Sequence, residues 1–312
     1  MKKLLGLAVF LGILYAALLF ADPTAGSAAN HVNLAKRIGL FGILCLGVTP
    51  LIISGGIDLS IGAVVGFCAT ALAILINDKK WDPTLAVVIV LGMGMLIGLM
   101  NGLLVTRLKL QPFVVTLCGL FIYRGLARWI ANDGIKGLGG NFSFYVEWFR
   151  DGDVLGIPKF FVIFLVMAAA LAVVVHFSIY GRYWQAIGAN EKTAFYSGIR
   201  VDAYKILAYV ICSLFAAFFS VLYLTEYKAA TPSDTGNFFE LYAIAGAVLG
   251  GVSLRGGEGN ILGVIMGTMI LWILPNFTRM WGISDTLQYT VIGVALLLGA
   301  IVDEVLRRRV AK

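Results

Sequence analysis

Long apolar runs alternate with short polar segments along most of this chain. A helix needs about twenty apolar residues to cross the hydrocarbon core of a bilayer, so runs of this length predict membrane-spanning helices. The runs lie at 4–20, 36–54, 59–76, 84–105, 112–131, 160–179, 205–224, 241–254, 261–275 and 286–303. Two of them, 241–254 and 261–275, are short, and we expect tilted, broken or re-entrant helices there. The predicted fold class is an all-α polytopic membrane protein with about ten transmembrane helices, because backbone groups in lipid must hydrogen-bond within their own helix.

The composition supports a single transmembrane domain over residues 1–312. The chain is 60% hydrophobic and only 13% charged, whereas soluble domains carry about 25% charged residues. Its 37 glycines suit closely packed transmembrane helices. The four cysteines and two histidines form no clustered spacing, so we expect no disulfide, no metal site and no cofactor. The net charge of +7 comes with basic residues that flank apolar runs, which favours membrane insertion over nucleic-acid binding.

The first apolar run allows two interpretations. Lys2 and Lys3 precede it and the small residues 26–28 follow it, as in a cleaved signal peptide. The run at 4–20 is long for a signal core and just long enough to span, which favours a retained helix. With an even number of spans and basic residues at both ends, both termini are predicted to be cytoplasmic. Segment 132–159 is then the largest external one and 180–204 the largest internal one.

Polar residues within or beside apolar runs are candidates for a transport pathway. Asp58 lies between two runs, and a carboxylate at membrane depth marks a substrate path or a proton relay. Asp also caps helices, so a purely structural role for Asp58 stays open. The candidate pathway residues are Asp58, Ser60, Asn101, Gln111, Thr116 and Glu240. Hydrogen bonding between helices is the alternative for the uncharged ones. Arg124 and Arg128 are predicted to snorkel to the interface, and no catalytic constellation is visible.

Two glycine-rich segments share a spacing. Residues 55–62 read GGIDLSIG and residues 250–257 read GGVSLRGG, and each follows one apolar run and precedes another. Transporters often place interrupted helices at corresponding positions of two halves, with the substrate between them. Chance similarity between glycine-rich membrane turns is the alternative. The second segment lacks the lysine and hydroxyl of a phosphate loop, so a tight turn is predicted there.

A polar island, GRYWQAIGANEKTAFYSGIRV at 181–201, interrupts the apolar pattern. Apolar residues interleaved with polar ones predict a short amphipathic helix that lies in a groove of a soluble partner, and an ordinary loop is the alternative. The candidate contact residues are Gly181, Ala186, Gly188, Asn190, Glu191, Ser197 and Gly198.

The spacing of this island resembles the cytoplasmic coupling loop of permeases from sugar ABC importers of the ribose/galactose/xylose group. The resemblance continues in GGIDLSIGA (55–63), NGLLVTRLKLQPFVVTL (101–117) and ELYAIAGAVLGGVSLRGGEG (240–259), and so covers nearly the whole chain. It implies a multi-pass protein of the bacterial cytoplasmic membrane that imports a monosaccharide, a pentose or hexose, without covalent chemistry. It also implies three partners: a cytoplasmic ABC ATPase that docks on 180–204, a second permease subunit that is identical or a paralogue, and an external sugar-binding protein.

One position departs from the pattern of that family. The motif at Glu240 usually reads E-L-D-x-I-A in the family, whereas Tyr242 replaces the aspartate here. The particular sugar is therefore not carried over from relatives. The remaining alternative is an ion-coupled secondary transporter of a small polar solute, for which Asp58 would have to titrate.

Overall fold

The computed structural model describes residues 2–284 together with residues 287, 290, 291, 293, 294 and 297. Its helices are α1 (Lys2–Ala21), α2 (Ala28–Ile53), α3 (Ile61–Ala73), α4 (Pro83–Thr106), α5 (Pro112–Ala131), α6 (Ser143–Val146), α7 (Lys159–Ala172), α8 (Ile179–Ala189), α9 (Glu191–Tyr196), α10 (Val201–Tyr227), α11 (Phe239–Leu249) and α12 (Ile261–Met280). Helical turns of π type follow α3, α6 and α7, at Ile74–Asp78, Glu147–Asp151 and Val173–Phe177, and short 3₁₀ turns lie at Pro23–Gly26 and Gly140–Phe142. Four two-residue strands pair as antiparallel ribbons, β1 (Lys136–Gly137) with β4 (Ala229–Ala230) and β2 (Asp153–Val154) with β3 (Ile157–Pro158).

Seven helical segments of the described residues are long and apolar enough to cross a membrane. They are Ala28–Ile53, Ile61–Asp78, Pro83–Thr106, Pro112–Ala131, Lys159–Phe177, Val201–Tyr227 and Ile261–Met280. The all-α membrane class is thereby confirmed, whereas the count of ten is not. The apolar stretch of α1 is shorter, Leu4–Phe20. The predicted run 286–303 falls largely outside the described residues.

The two runs that were expected to be short behave differently. Run 241–254 corresponds to α11, whose 11 residues reach only about 16 Å and cannot span. Run 261–275 was expected to be tilted, broken or re-entrant, and the helix there is not broken. Helix α12 continues for 20 residues through Pro275 to Met280, so polar residues after the apolar run extend it to spanning length.

Helix α2 forms the centre of the bundle. Ser27 caps it by accepting a hydrogen bond from the amide of Asn30 at 3.2 Å, so the helix begins eight residues before the predicted run. Every residue from Ile38 to Ile53 is buried. The helix packs against α7, α10, α11 and α12, and α10 packs in turn against α3 and α4. Burial of this one apolar helix therefore organises most of the others around it.

The bundle has two distinct ends. Ile53 at the end of α2 meets α8, and Lys109 pairs with Asp202 at 3.3 Å, so these connections lie together at what we call the α8–α9 end. At the opposite end, β1 pairs with β4, and Lys136 pairs with Asp78 at 2.7 Å.

Two crossings of the bundle are interrupted by irregular chain. Residues 54–60 lead from the end of α2 into α3, and residues 231–238 lead from β4 into α11. The starts of α3 and α11 meet inside the bundle, where a Cβ on Gly62 would overlap the carbonyl oxygen of Gly236. Glycine at these two positions permits the close backbone approach. Interrupted, non-helical backbone inside a membrane bundle is tolerated where protein surrounds it.

Candidate functional site

A buried hydrogen-bond network joins three of the predicted pathway residues. Asp58 Oδ1 accepts hydrogen bonds from the amide and the hydroxyl of Ser60, at 2.8 and 2.6 Å. Asn101 of α4 donates to the Ser60 hydroxyl oxygen at 3.2 Å, and Tyr123 of α5 donates to Asn101 Oδ1 at 3.1 Å. Tyr209 of α10 donates to the carbonyl oxygen of Ile57 at 3.2 Å. The network therefore ties the connection 54–60 to three membrane helices.

The contacts of Asp58 account for a structural role and leave its pathway role open. It lies three residues before Ile61, the first residue of α3, and its contact with the Ser60 amide closes a turn that leads into the helix. The side chain is 2% exposed, and its Oδ2 has no hydrogen-bond partner among the described residues. A buried carboxylate oxygen without a donor is costly. The turn contact explains Oδ1 but leaves Oδ2 unexplained, so the pathway role of Asp58 stays a prediction.

Glu240 lies near this network, at the start of the other interrupted crossing. It is buried in the first turn of α11, and a Cβ on Gly62 would overlap its Oε2 atom. Each interrupted helix thus begins with a carboxylate, because Asp58 precedes α3 and Glu240 opens α11. Negative charge at a helix N-terminus is stabilised by the helix dipole.

Arg124 differs from its prediction. Instead of snorkelling, its Nη1 donates to the carbonyl oxygens of Thr235 and Pro232, at 2.6 and 3.0 Å. It therefore fixes the irregular segment 231–238 against α5. Arg128 is exposed and pairs with Asp133 at 2.7 Å, and these hydrogen bonds hold the pKa of the Asp133 carboxyl below its usual range.

The structure does not bring the two remaining pathway candidates into the network. Gln111 is exposed at the start of α5 and makes no side-chain cap. Thr116 is fully buried, but its hydroxyl donates to the carbonyl oxygen of Pro112 in the same helix at 2.9 Å. Tyr123, which the sequence did not single out, contributes where these two do not. A tyrosine inside an apolar run gives no signal beyond that of a core residue.

Tyr242 packs against two other aromatic rings. Its ring lies 6.0 Å from the ring of Trp272 and 6.4 Å from that of Phe41. Position 242 therefore belongs to an aromatic cluster between α2, α11 and α12.

The polar island folds as the two helices α8 and α9 at one end of the bundle. Gly188 of α8 packs on the membrane helices, because its Cβ would overlap the carbonyl oxygen of Ile53 and the amide nitrogen of Gly257. These two groups are hydrogen-bonded to each other at 2.8 Å. A Cβ on Gly256 would lie 2.9 Å from the Cα of Gly188 and 3.1 Å from the Cα of Gly55. The two glycine-rich turns of similar sequence therefore meet on α8, and we call Gly55, Gly188, Gly256 and Gly257 the glycine junction.

The other predicted coupling residues mainly shape this segment. Gly181 is buried against Val175, Ala186 is half-buried and Gly198 is exposed with φ of +83°. Asn190 caps α9 through the Thr193 amide, Ser197 donates to the Thr193 carbonyl, and Glu191 pairs with Lys205.

The most exposed aromatic side chains of the segment lie on α9, outside the list of candidate contact residues. Phe195 and Tyr196 of α9 are 65% and 85% exposed, and their rings lie 5.8 Å apart. Exposed aromatic residues of this size are typical of a contact surface.

Comparisons with known proteins agree with this architecture. A family model described as "branched-chain amino acid transport system / permease component" matches residues 30–300. The ribose import permease protein RbsC of Bacillus subtilis (strain 168) is 35% identical over 298 residues, which cover 94% of this chain and 91% of the relative. RbsC of Escherichia coli (strain K12) is 31% identical over 304 residues, or 97% and 92% of the two chains. The autoinducer 2 import system permease protein LsrD of Escherichia coli (strain K12) is 33% identical over 295 residues, or 91% and 88%. No solved structure matches the chain. These matches confirm the resemblance to sugar ABC importer permeases, and the chain belongs to this permease family as a membrane-spanning transport subunit.

Proposed function

We propose that this chain is the transmembrane subunit of an ATP-driven importer that moves a monosaccharide, a pentose or hexose, across the bacterial inner membrane. The observation that carries the proposal is the nearly full-length similarity to permeases whose names specify ribose import. The interrupted crossings and the exposed surface of α9 support it, since an importer needs both a gated path and a surface for its motor.

The starts of α3 and α11 are the best candidates for the gated path. Transporters commonly bind substrate where two discontinuous helices meet inside the membrane. Here Ser60 lies 3.2 Å from the position that a Cβ on Gly119 would take, and Gly119 is the eighth residue of α5. By helix rise, Gly119 therefore lies about 10 Å into the bundle from the α8–α9 end, where α5 begins. Hydroxyl, amide and carboxylate groups in this network are the groups that hydrogen-bond to the hydroxyls of a sugar.

The α8–α9 segment is the proposed docking surface for a cytoplasmic ABC ATPase. Phe195 and Tyr196 would insert into a groove of that partner. On the membrane side, Gly188 contacts the glycine turns that precede α3 and α12. A displacement of α8 by the ATPase would reach the neighbourhood of both interrupted crossings through these contacts, and would shift the populations of inward- and outward-open states.

Reconstituted uptake tests the function directly. The permease, a candidate ATPase and a candidate sugar-binding protein are co-purified and placed in proteoliposomes with ATP inside the compartment that the ATPase faces. The substrates compared are ribose, xylose, galactose, autoinducer 2 and leucine, which separates the sugar proposal from the amino-acid name of the family model.

We expect ATP-dependent uptake of at least one monosaccharide, no uptake of leucine, and loss of uptake when the ATPase is inactivated. Ionophores should leave uptake intact while ATP is maintained. Uptake by the permease alone in response to an ion gradient would instead establish the secondary-transporter alternative.

A further inference from the structure

A polar cavity at the opposite end of the bundle is separate from the Asp58 network. Its volume is about 400 Å³, which is within the size range of small-ligand sites. It lies between α2, α7, α10 and α12. Its polar lining consists of Asn30, Asn33, Lys36, Arg37, Glu226, Tyr227, Asn276 and Arg279. Residues 30–37 are near the start of α2, whereas Gly188 contacts the end of that helix, so the cavity lies far from α8.

The lining carries an excess of positive charge. Apart from Arg279, which has interactions of its own, two basic side chains, Lys36 and Arg37, face one acidic side chain, Glu226. This acid already lies 3.8 Å from a further basic residue, Arg150. Among the described residues, neither Lys36 nor Arg37 has a carboxylate or a hydrogen-bond acceptor. The guanidinium of Arg37 lies 5.8 Å from the ring centroid of Trp272, which positions it by a cation–π contact. Its N–H donors thus remain available to an anion.

These cations lie at the start of the apolar part of α2, where basic side chains can reach toward lipid headgroups. Lys36 and Arg37 immediately precede Ile38, where the continuously buried part of α2 begins. If the α8–α9 end is cytoplasmic, the cations are on the external side, where membrane insertion disfavours basic residues. Other basic residues, such as Lys79 and Lys80, also lie at that end, so the argument for Lys36 and Arg37 rests on the cavity and on the groove beside it.

An apolar groove of about 590 Å³ lies beside the cavity. It runs between α1, α2, α12 and the β2–β3 hairpin, and Leu34 belongs to the lining of both features. A headgroup site next to an apolar groove matches the two halves of a phospholipid. Basic pockets between transmembrane helices are known binding sites for anionic lipid headgroups.

We propose that this cavity and groove bind one anionic phospholipid, of which phosphatidylglycerol is the type we commit to. Arg37 and Lys36 would donate to its phosphate, and the carboxamide of Asn33 would hydrogen-bond to the headgroup hydroxyls. The acyl chain would lie along the groove beside Leu34. A neutral sugar would leave both cations without a counter-charge, and a free phosphate ion would leave the groove unused.

The test uses the purified full-length permease. Native mass spectrometry measures how much phosphatidylglycerol, phosphatidylethanolamine or phosphatidylcholine it retains, with inorganic phosphate or ribose added as competitors. The variant is Lys36→Gln/Arg37→Gln. The matched control is Lys79→Gln/Lys80→Gln, which removes two charges at the same end but away from the cavity. Thermal unfolding of both variants in lipid-free detergent shows whether they are folded, and Lys36→Gln alone replaces the double variant if it is not.

We expect one phosphatidylglycerol to be retained in preference to both zwitterionic lipids. Each basic residue near a membrane surface raises the binding constant for an anionic lipid about fivefold. The double variant should therefore bind phosphatidylglycerol roughly twenty-five-fold more weakly than the wild type. The control should bind like the wild type. Equal retention of the three lipids, unchanged retention by the cavity variant, or displacement by millimolar phosphate or ribose would each overturn the proposal. None of these measurements depends on transport, so the result is independent of the proposed function.

Discussion

Replacing Gly188 with alanine places a methyl group on the hydrogen bond between the Ile53 carbonyl and the Gly257 amide. The new Cβ would overlap both of these backbone atoms and would lie 3.1 Å from the carbonyl carbon of Gly256. Because the neighbours are backbone atoms, no side-chain rotation can relieve the contact. The neighbouring backbone must therefore shift, and the shift also breaks the 2.8 Å hydrogen bond that the methyl group overlaps.

The cost follows from these two contributions. Overpacking of a close contact costs about 1–3 kcal/mol, and a lost backbone hydrogen bond costs about 1 kcal/mol more. The free energy of unfolding of Gly188→Ala should therefore be about 2–4 kcal/mol lower than that of the wild type. Because α8 also carries the α9 surface, a shifted α8 should lower uptake even when the ATPase still binds.

Two other glycines provide controls that isolate this contact. Nothing lies within 4 Å of a Cβ on Gly92 in the middle of α4, so Gly92→Ala should be neutral or stabilising by up to about 1 kcal/mol. Gly198 also has open space, but its φ of +83° should cost about 1–2 kcal/mol for alanine. The measurements are thermal unfolding of the purified permease, pull-down of the ATPase and proteoliposome uptake. If Gly188→Ala melts and transports like Gly92→Ala, the backbone contact at the junction is not what the structure indicates.

Three further substitutions test other parts of the molecule. Arg124→Gln should lower the melting temperature and uptake, because two carbonyls of the irregular segment 231–238 lose their donor, whereas Arg128→Gln should change stability by less than about 1 kcal/mol, as for an exposed ion pair. Equal melting temperatures of the two variants would contradict the role of Arg124 in fixing that segment. Asp58→Asn should keep the fold, since Asn also accepts from the Ser60 amide, and should reduce uptake in the reconstituted system; wild-type uptake would remove the pathway role. Phe195→Ser/Tyr196→Ser should weaken ATPase pull-down without changing the melting temperature, and undiminished pull-down would place the docking surface elsewhere.

The membrane helices were predictable because a bilayer imposes a length and an apolar composition that are visible in sequence. Their ends were not, because capping and polar continuation set them. Ser27 starts α2 ahead of its apolar run, and Asn276 and Arg279 lie within α12 although both are polar. Hydropathy also gave no reason to expect that α12 would be continuous and α11 short, since both runs have nearly the same length.

The candidate site was only partly predictable for a related reason. Asp58 and Ser60 are neighbours in sequence, and their polar character inside an apolar context made them visible. Arg124 was misinterpreted because its acceptors are backbone carbonyls of Thr235 and Pro232, which have no signature in sequence. Gly188 was predicted as a contact residue of the docking segment, but the sequence could not tell that it faces the membrane helices.

The placement of the two buried carboxylates bears on the choice between ATP-driven and ion-coupled transport. An intramembrane carboxylate usually suggests proton or ion coupling, because its burial must be justified by a function. Here Asp58 and Glu240 each stand at the start of an interrupted helix, where the amide groups and the helix dipole stabilise negative charge. Broken helices that begin inside the bundle need such groups whatever the energy source. Their position at helix starts thus accounts for both carboxylates except for Asp58 Oδ2, which has no donor among the described residues. Ion coupling is therefore decided by uptake in the presence of ionophores, and the role of the exposed aromatic residues of α9 is decided by the ATPase pull-down.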